Sequence, residues 1–351
     1  MNRRELLSKL SAALMLATAA PFFDALDPKE RERVTQVVQG ATGFNEPALR
    51  YCEGMASALR QQNQALGPRL VLQSTLGYRD VAGRLAHSAP SELQQRAISV
   101  YAELTQLAGW MSFNLEDYRG AREYYDDARS AAHDAQNVEL VTYTLCSMSY
   151  LATWQGKPRV GIDHAIVAQS WAARTDSPRA EGYAADVAAR ACAADQQANT
   201  CRKKLDAAQA TLAAIGADDG DPRWWHCFNE SVFWGTTSDC ALRLGDPERA
   251  LETVSKSLAV SDPADVHNHA FRMLFQAGAF VQKGEIAEAS RAVGEVVTLT
   301  ATHTSLRIHQ RTTELRAALA PWQRSKPVRE LDELMATHSP SPRGSGGTEH
   351  G

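Results

Sequence analysis

The sequence predicts an all-α protein, a solenoid of helical hairpins wound as a right-handed superhelix from units of about forty residues. Three observations predict it. Alanine supplies 57 of the 351 residues, and alanine is the best helix former, whereas strands draw on β-branched and aromatic side chains. A pattern of small and aromatic residues recurs five times along the middle of the chain at near-constant spacing. Finally, Pro158, Pro178, Pro222, Pro247, Pro263, Pro321 and Pro327 fall between the expected helices or in their first turns, where a missing N–H costs little.

Composition narrows the function classes. A net charge of −4 leaves no excess of Lys and Arg for a broad nucleic-acid footprint. No apolar run reaches the roughly 18 residues a membrane-spanning helix needs. The six cysteines (Cys52, Cys146, Cys192, Cys201, Cys227 and Cys240) contain no C-x-x-C pair, so no zinc site is expected. Sitting in apolar helical patterns, they read as buried free thiols in a reducing cytoplasm. Disulfides would require export.

Residues 1–23 raise that question directly. Arg3-Arg4 precedes an apolar stretch from Leu10 to Phe23, and Ala17-Thr18-Ala19 resembles a small-residue cleavage site, as in a twin-arginine signal. Lys9 interrupts the apolar run, however, and Leu6, Leu7, Leu10 and Leu14 share one helical face. A packed amphipathic helix or linker is therefore the expectation, and an export signal the alternative. Residues 24–100 should cap the array, with two helices over 44–88, because the end of a solenoid exposes an apolar face.

Five repeat units follow over 101–300. The first, Glu103 to Gln136, carries Ala108-Gly109 in its first half and Glu116-Asp117-Tyr118-x-x-Ala121-x-x-Tyr124-Tyr125-x-x-Ala128 in its second. Gly156-Lys157-Pro158-x-x-Gly161, Gly245-Asp246-Pro247-x-x-Ala250 and Gly284-Glu285-Ile286-x-x-Ala289 repeat the second half, and Cys201, Leu205 and Ala208 mark a degenerate copy. This is the pattern of a tetratricopeptide repeat, a two-helix unit whose small residues let its helices cross closely. The crossing residue falls at Ala121, Gly161, Cys201, Ala250 and Ala289, at intervals of 40, 40, 49 and 39 residues. The long step contains the acidic turn Ala217-Asp218-Asp219-Gly220-Asp221-Pro222. Val297 to Thr302 alternates like a strand, yet the repeat register makes it helical. Residues 301–338 should close the array with helices over 305–319 and 326–337. The tail, 339–351, is rich in Ser, Pro and Gly and should be disordered.

The order of motifs resembles the tetratricopeptide-like C-terminal region of actinomycete transcriptional regulators that also carry a Cro/C1-type helix-turn-helix domain. The residues that carry the resemblance are Arg3-Arg4-Glu5-Leu6-Leu7, Leu107-Ala108-Gly109-Trp110, the Tyr118 to Ala128 run, Gln155-Gly156-Lys157-Pro158 and Leu244-Gly245-Asp246-Pro247. In that family the Arg-Arg-Glu segment joins the DNA-binding domain to the repeats. Here about 45 residues precede the repeat-like region, too few for a helix-turn-helix with its recognition helix. The resemblance therefore implies a regulatory protein without direct DNA contact, whose DNA reader either is lost or belongs to a separate partner chain.

In such a superhelix the first helix of each unit lines the concave groove. That frame places Gln106, Trp110, Phe113 and Asn114, then Tyr143, Tyr150 and Trp154, then Asp186 and Arg190, Asp239 and Arg243, and lastly Phe271 and Gln282 on the inner face. Aromatic rings beside amides and charges suit an extended peptide. Trp110, Phe113 and Tyr143 read more readily as packing between repeats. The expected peptide- or protein-binding set is thus Asn114, Tyr150, Trp154, Asp186, Arg190, Asp239 and Arg243. Asp186/Arg190 and Asp239/Arg243 are also i,i+4 pairs, which alone would support a helix. His267-Asn268-His269 reads as a loop before a helix, and Trp224-Trp225-His226 with Asn229 as an anchor for the long loop. No G-x-x-x-x-G-K-[ST], G-x-S-x-G or H-E-x-x-H motif occurs, so neither catalysis nor a cofactor or metal is expected. The sequence reads as a non-catalytic, cytoplasmic regulatory protein that binds a peptide or partner protein. The alternative is an exported or envelope-associated scaffold.

Overall fold

The computed structural model describes residues 45–215, 223–303 and 305–338, together with Lys29 and Glu32. The N-terminal segment 1–23, the acidic turn 217–222 and the tail 339–351 lie outside the described residues. All regular structure within them is helical. Two helices come first, α1 (Glu46–Leu66) and α2 (Pro68–Ser88). Five hairpins follow: α3 (Ser91–Asn114) with α4 (Tyr118–Asp134), α5 (Val138–Trp154) with α6 (Pro158–Ala172), α7 (Pro178–Ala194) with α8 (Ala198–Leu212), α9 (Glu230–Arg243) with α10 (Pro247–Ala259), and α11 (Val266–Lys283) with α12 (Ile286–Leu299). Helices α13 (Leu306–Ala318) and α14 (Lys326–His338) close the array, packing on α11 and α12 respectively. The fold is an all-α tetratricopeptide-like solenoid.

Local sequence explains where the helices start and stop. Asn45, Asp117, Asn137, Ser177, Asn229, Asp246 and Asp265 each accept a hydrogen bond from the backbone N–H three residues on, satisfying a donor that the first turn leaves orphaned. Within each hairpin the chain reverses through one left-handed residue: Glu116, Gly156, Gln196, Gly245 or Gly284, with φ between 59° and 76°. These turns recur at the same intervals as the crossing residues. The crossing residues are themselves buried, and a small residue stands twelve positions before each in the sequence: Gly109, Ser149, Ala189, Ser238 or Ala277. Contact is close enough for Ser149 Oγ to donate to the Gly161 carbonyl at 2.6 Å and Ser238 Oγ to the Ala250 carbonyl at 2.9 Å.

Two expectations need correction. Val297 to Thr302 is helical only through Leu299, after which the chain turns. His267-Asn268-His269 is the first turn of α11, not a loop before it, because Asp265 caps the helix one residue ahead of Val266. The cysteines are unbridged; five are buried and Cys227 is half-buried. The Trp224-Trp225 segment forms a short 3₁₀ turn, Arg223–Cys227. Trp225 is fully buried there, edge-on to Tyr143 at 5.4 Å and donating to Glu139 at 3.2 Å. Helix α1 packs on α2 and α3 and also reaches α11, so the first helix and the fifth hairpin meet across the concave side. The groove is thereby narrowed to a partly open cavity.

Candidate functional site

The inner helices α3, α5, α7, α9 and α11 converge with α1 and the 3₁₀ turn on a cavity of about 390 Å³. None of its walls comes from the outer helices of the hairpins. Aromatic rings form much of the surface. Trp110 stacks on Tyr150 at 5.9 Å, Tyr143 meets Tyr183 at 5.9 Å, and Phe271 leads on to Phe275 at 6.3 Å. Such rings offer large apolar area with defined faces.

Three arginines complete the lining, and no carboxylate does. Arg60 Nη2 donates to Glu103 at 3.1 Å and Nη1 to the Tyr143 hydroxyl at 3.4 Å, so burial of its charge is compensated. Arg190 pairs with Asp186 at 3.4 Å, donates to Thr236 Oγ1, and lies over the Tyr150 ring at 5.1 Å. Burial pushes the Asp186 carboxyl up to about 6, against the opposing pull of Arg190 and Thr236. Among the described residues Arg272 has one hydrogen bond, Nε to Ser257 Oγ at 2.7 Å. Burial depresses its pKa to about 10, with Asp265 offsetting part of the shift. His267 is held neutral, well below the usual imidazole range, by burial and then by the charge of Arg307.

The sequence-predicted residues separate into three places. Tyr150 and Arg190 line the cavity. Trp154, Asp239 and Arg243 line a neighbouring pocket of about 150 Å³, shared with Tyr150 and with α13. Arg243 pairs with Asp239 at 3.0 Å, and although burial alone would raise Asp239, Arg243 and Arg190 hold it below its ordinary value. Asn114 and Asp186 stand behind the walls, 1% and 0% exposed. The amide of Asn114 is not free for a ligand: Nδ2 donates to the Trp110 carbonyl at 3.0 Å, and Oδ1 accepts from Arg307 Nη1 at 2.9 Å. Gln106 and Phe113 are core residues, and Gln282 donates to the Leu242 carbonyl at 3.0 Å.

Sequence reasoning missed Arg307, from α13. It is fully buried with its guanidinium carbon 3.9 Å from the centre of the Phe113 ring and 4.2 Å from that of Trp154, inside a ring of five aromatics that includes Tyr150, Phe271 and Trp110. Its Nη2 donates to the Tyr150 hydroxyl at 3.0 Å. It also missed Arg60 and Asn63, because α1 reads as a cap on the array's end and not as a wall of the groove. Among the described residues no group of three or more His, Cys, Asp or Glu is placed to hold a metal, and no helix is long and apolar enough to cross a membrane.

No protein-family model matches the chain, and no curated protein matches it by sequence. Among solved structures it is similar to the Rap protein complexed with competence and sporulation factor, at TM-score 0.57 and 12% identity, covering 94% of this chain and 87% of that one. Lower similarities are to BtubC from P. vanneervenii (TM-score 0.46, 15% identity, 67% of this chain and 91% of that one) and to yeast Tom70 (0.40, 13%, 93% and 76%). The likeness to Rap shows a shared fold.

Proposed function

We propose that the protein is a non-catalytic regulatory binding module of the cytoplasm, and that its ligand is a peptide or an extended segment of a partner protein held in the central cavity. One observation carries this reading: the inner helices of all five repeats, with α1, line a single space of about 390 Å³, and four of those helices with α1 bring aromatic or arginine side chains to it. Ligand pockets typically fall at roughly 300–1,000 Å³, so the space suits a few residues of an extended chain and not a folded domain. Three buried polar atoms of its lining, Arg60 Nε, Asn63 Oδ1 and Trp224 Nε1, have no hydrogen-bond partner among the described residues. Groups of that kind are costly to leave unmet and match the amides of a peptide backbone. The similar Rap chain is itself in complex with competence and sporulation factor, which supports a peptide or protein ligand. The resemblance to transcriptional regulators supports a regulatory output, delivered to a separate DNA-binding chain.

The test is selection of short random peptides on the immobilised protein, repeated with Val232→Trp. Val232 lines the cavity and is half-buried, so the larger ring fills the space from one wall. Enriched peptides that bind the wild type and lose at least about tenfold on Val232→Trp support the reading. Peptides that bind both proteins equally place the site elsewhere.

A further inference from the structure

The charges around the cavity do not balance. Of its three arginines, Arg60 and Arg190 have carboxylate partners just behind the wall, Glu103 and Asp186. Arg272 has none within salt-bridge distance among the described residues. Asp265, which acts on it through space, is already committed as the α11 cap, accepting from Asn268 N at 3.2 Å and Asn268 Nδ2 at 2.6 Å. Yet Arg272 is only 5% exposed, and an uncompensated buried charge is expensive.

The geometry around it fixes the guanidinium instead of neutralising it. Ser257 Oγ accepts from Arg272 Nε at 2.7 Å and donates its own proton to the Ser231 carbonyl at 2.5 Å. One edge of the planar fork is thus anchored on α9 and α10, while neither Nη group has an acceptor among the described residues. A guanidinium held in this way presents two parallel donors, the arrangement that receives a carboxylate bidentately.

We infer that Arg272 forms an anion subsite in the cavity, taking one carboxylate of the bound peptide, either its C-terminal group or an Asp or Glu side chain. This rests on the cavity being the peptide site. The three arginines of the lining outnumber their partners Glu103 and Asp186, and Arg307 behind the aromatic wall adds a further positive charge, so the cavity favours an anion. The depressed pKa of Arg272, about 10, still leaves it charged at neutral pH.

The experiment uses peptides selected on the wild-type protein, each made in three forms: with a free C-terminus, as the C-terminal amide, and with its acidic side chains replaced by Asn or Gln. Affinities are measured for wild type and for Arg272→Gln. One of the two carboxylate deletions should weaken wild-type binding by at least about tenfold, since hydrogen bonds to charged groups are the stronger ones. Which deletion does so identifies the source of the carboxylate. Arg272→Gln should bring the parent peptide down to the affinity of that deleted form, and should bind the deleted form as the wild type does. If Arg272→Gln fails to fold, the three peptide forms on the wild type decide alone. Peptides sensitive to Val232→Trp but indifferent to every carboxylate overturn the anion subsite and leave the cavity reading intact. If no peptide is enriched, the cavity reading falls and takes the subsite with it.

Discussion

Arg307 brings a full charge into an aromatic enclosure where burial lowers its pKa and no carboxylate among the described residues offsets the cost. Its stabilisation comes from ring faces and from two neutral acceptors on different repeats, Asn114 and Tyr150. Cation–π contacts strengthen when desolvated, to about 2 kcal/mol or more. Asn114→Ala leaves Nη1 without its acceptor and should cost about 1–3 kcal/mol in urea denaturation. Arg307→Lys cannot reach both acceptors at once and should cost a similar amount. The double variant should lose less than the sum of the two; full additivity would mean that the two side chains do not interact. That Asn114 points inward was legible from repeat position. That its amide is already engaged was not, because the donor lies 193 residues away. Asp186 supplies a pH test. Its carboxyl titrates near 6 in the folded protein against an ordinary 3.8, so the folded state holds the proton more tightly. The resulting stability is present below the ordinary value and is lost as pH rises through about 6. Asp186→Asn lacks that dependence. The unfolding free energy of the variant relative to wild type should therefore shift in the variant's favour between about pH 4 and pH 7.5, whereas a constant difference would contradict a buried, raised carboxyl.

Each hairpin depends on two local devices. At the crossing, Ala121 is fully buried beside Tyr125 and Leu151, so Ala121→Leu should overpack the contact and cost about 1–3 kcal/mol, read as a lowered melting temperature. At the reversal, Gly245 has φ 76° with open space around it. Gly245→Ala meets no clash and should lose only the left-handed backbone penalty, about 1–2 kcal/mol. A loss well above that would mean a packing role the geometry does not show. The period was legible because both devices constrain residue type: small residues at crossings, and glycine at three of the five reversals. Glu116 and Gln196 occupy the other two with positive φ, and nothing in their side chains announces it. The start of α11 was misread because His267-Asn268-His269 looks polar and irregular, whereas Asp265 is a standard cap.

Closure of the array is the property that repeat counting could not supply. Each repeat specifies its neighbour, but the return of α1 to α11 and of Arg307 to α3 and α5 depends on curvature summed over all five units. That curvature turns an open groove into a cavity and adds walls from α1. The outer surface offers a rival site, since α6 exposes Val160, Ile166 and Val167. Photo-cross-linking separates the two most directly. A selected peptide carrying a diazirine side chain is irradiated on the wild-type protein, and the attachment sites are read by mass spectrometry. If the cavity is the ligand site, cross-links fall on its lining, at residues such as Tyr183, Val187 and Phe275, and disappear in Val232→Trp. Cross-links concentrated on Ile166 and Val167, and unchanged in Val232→Trp, would contradict it.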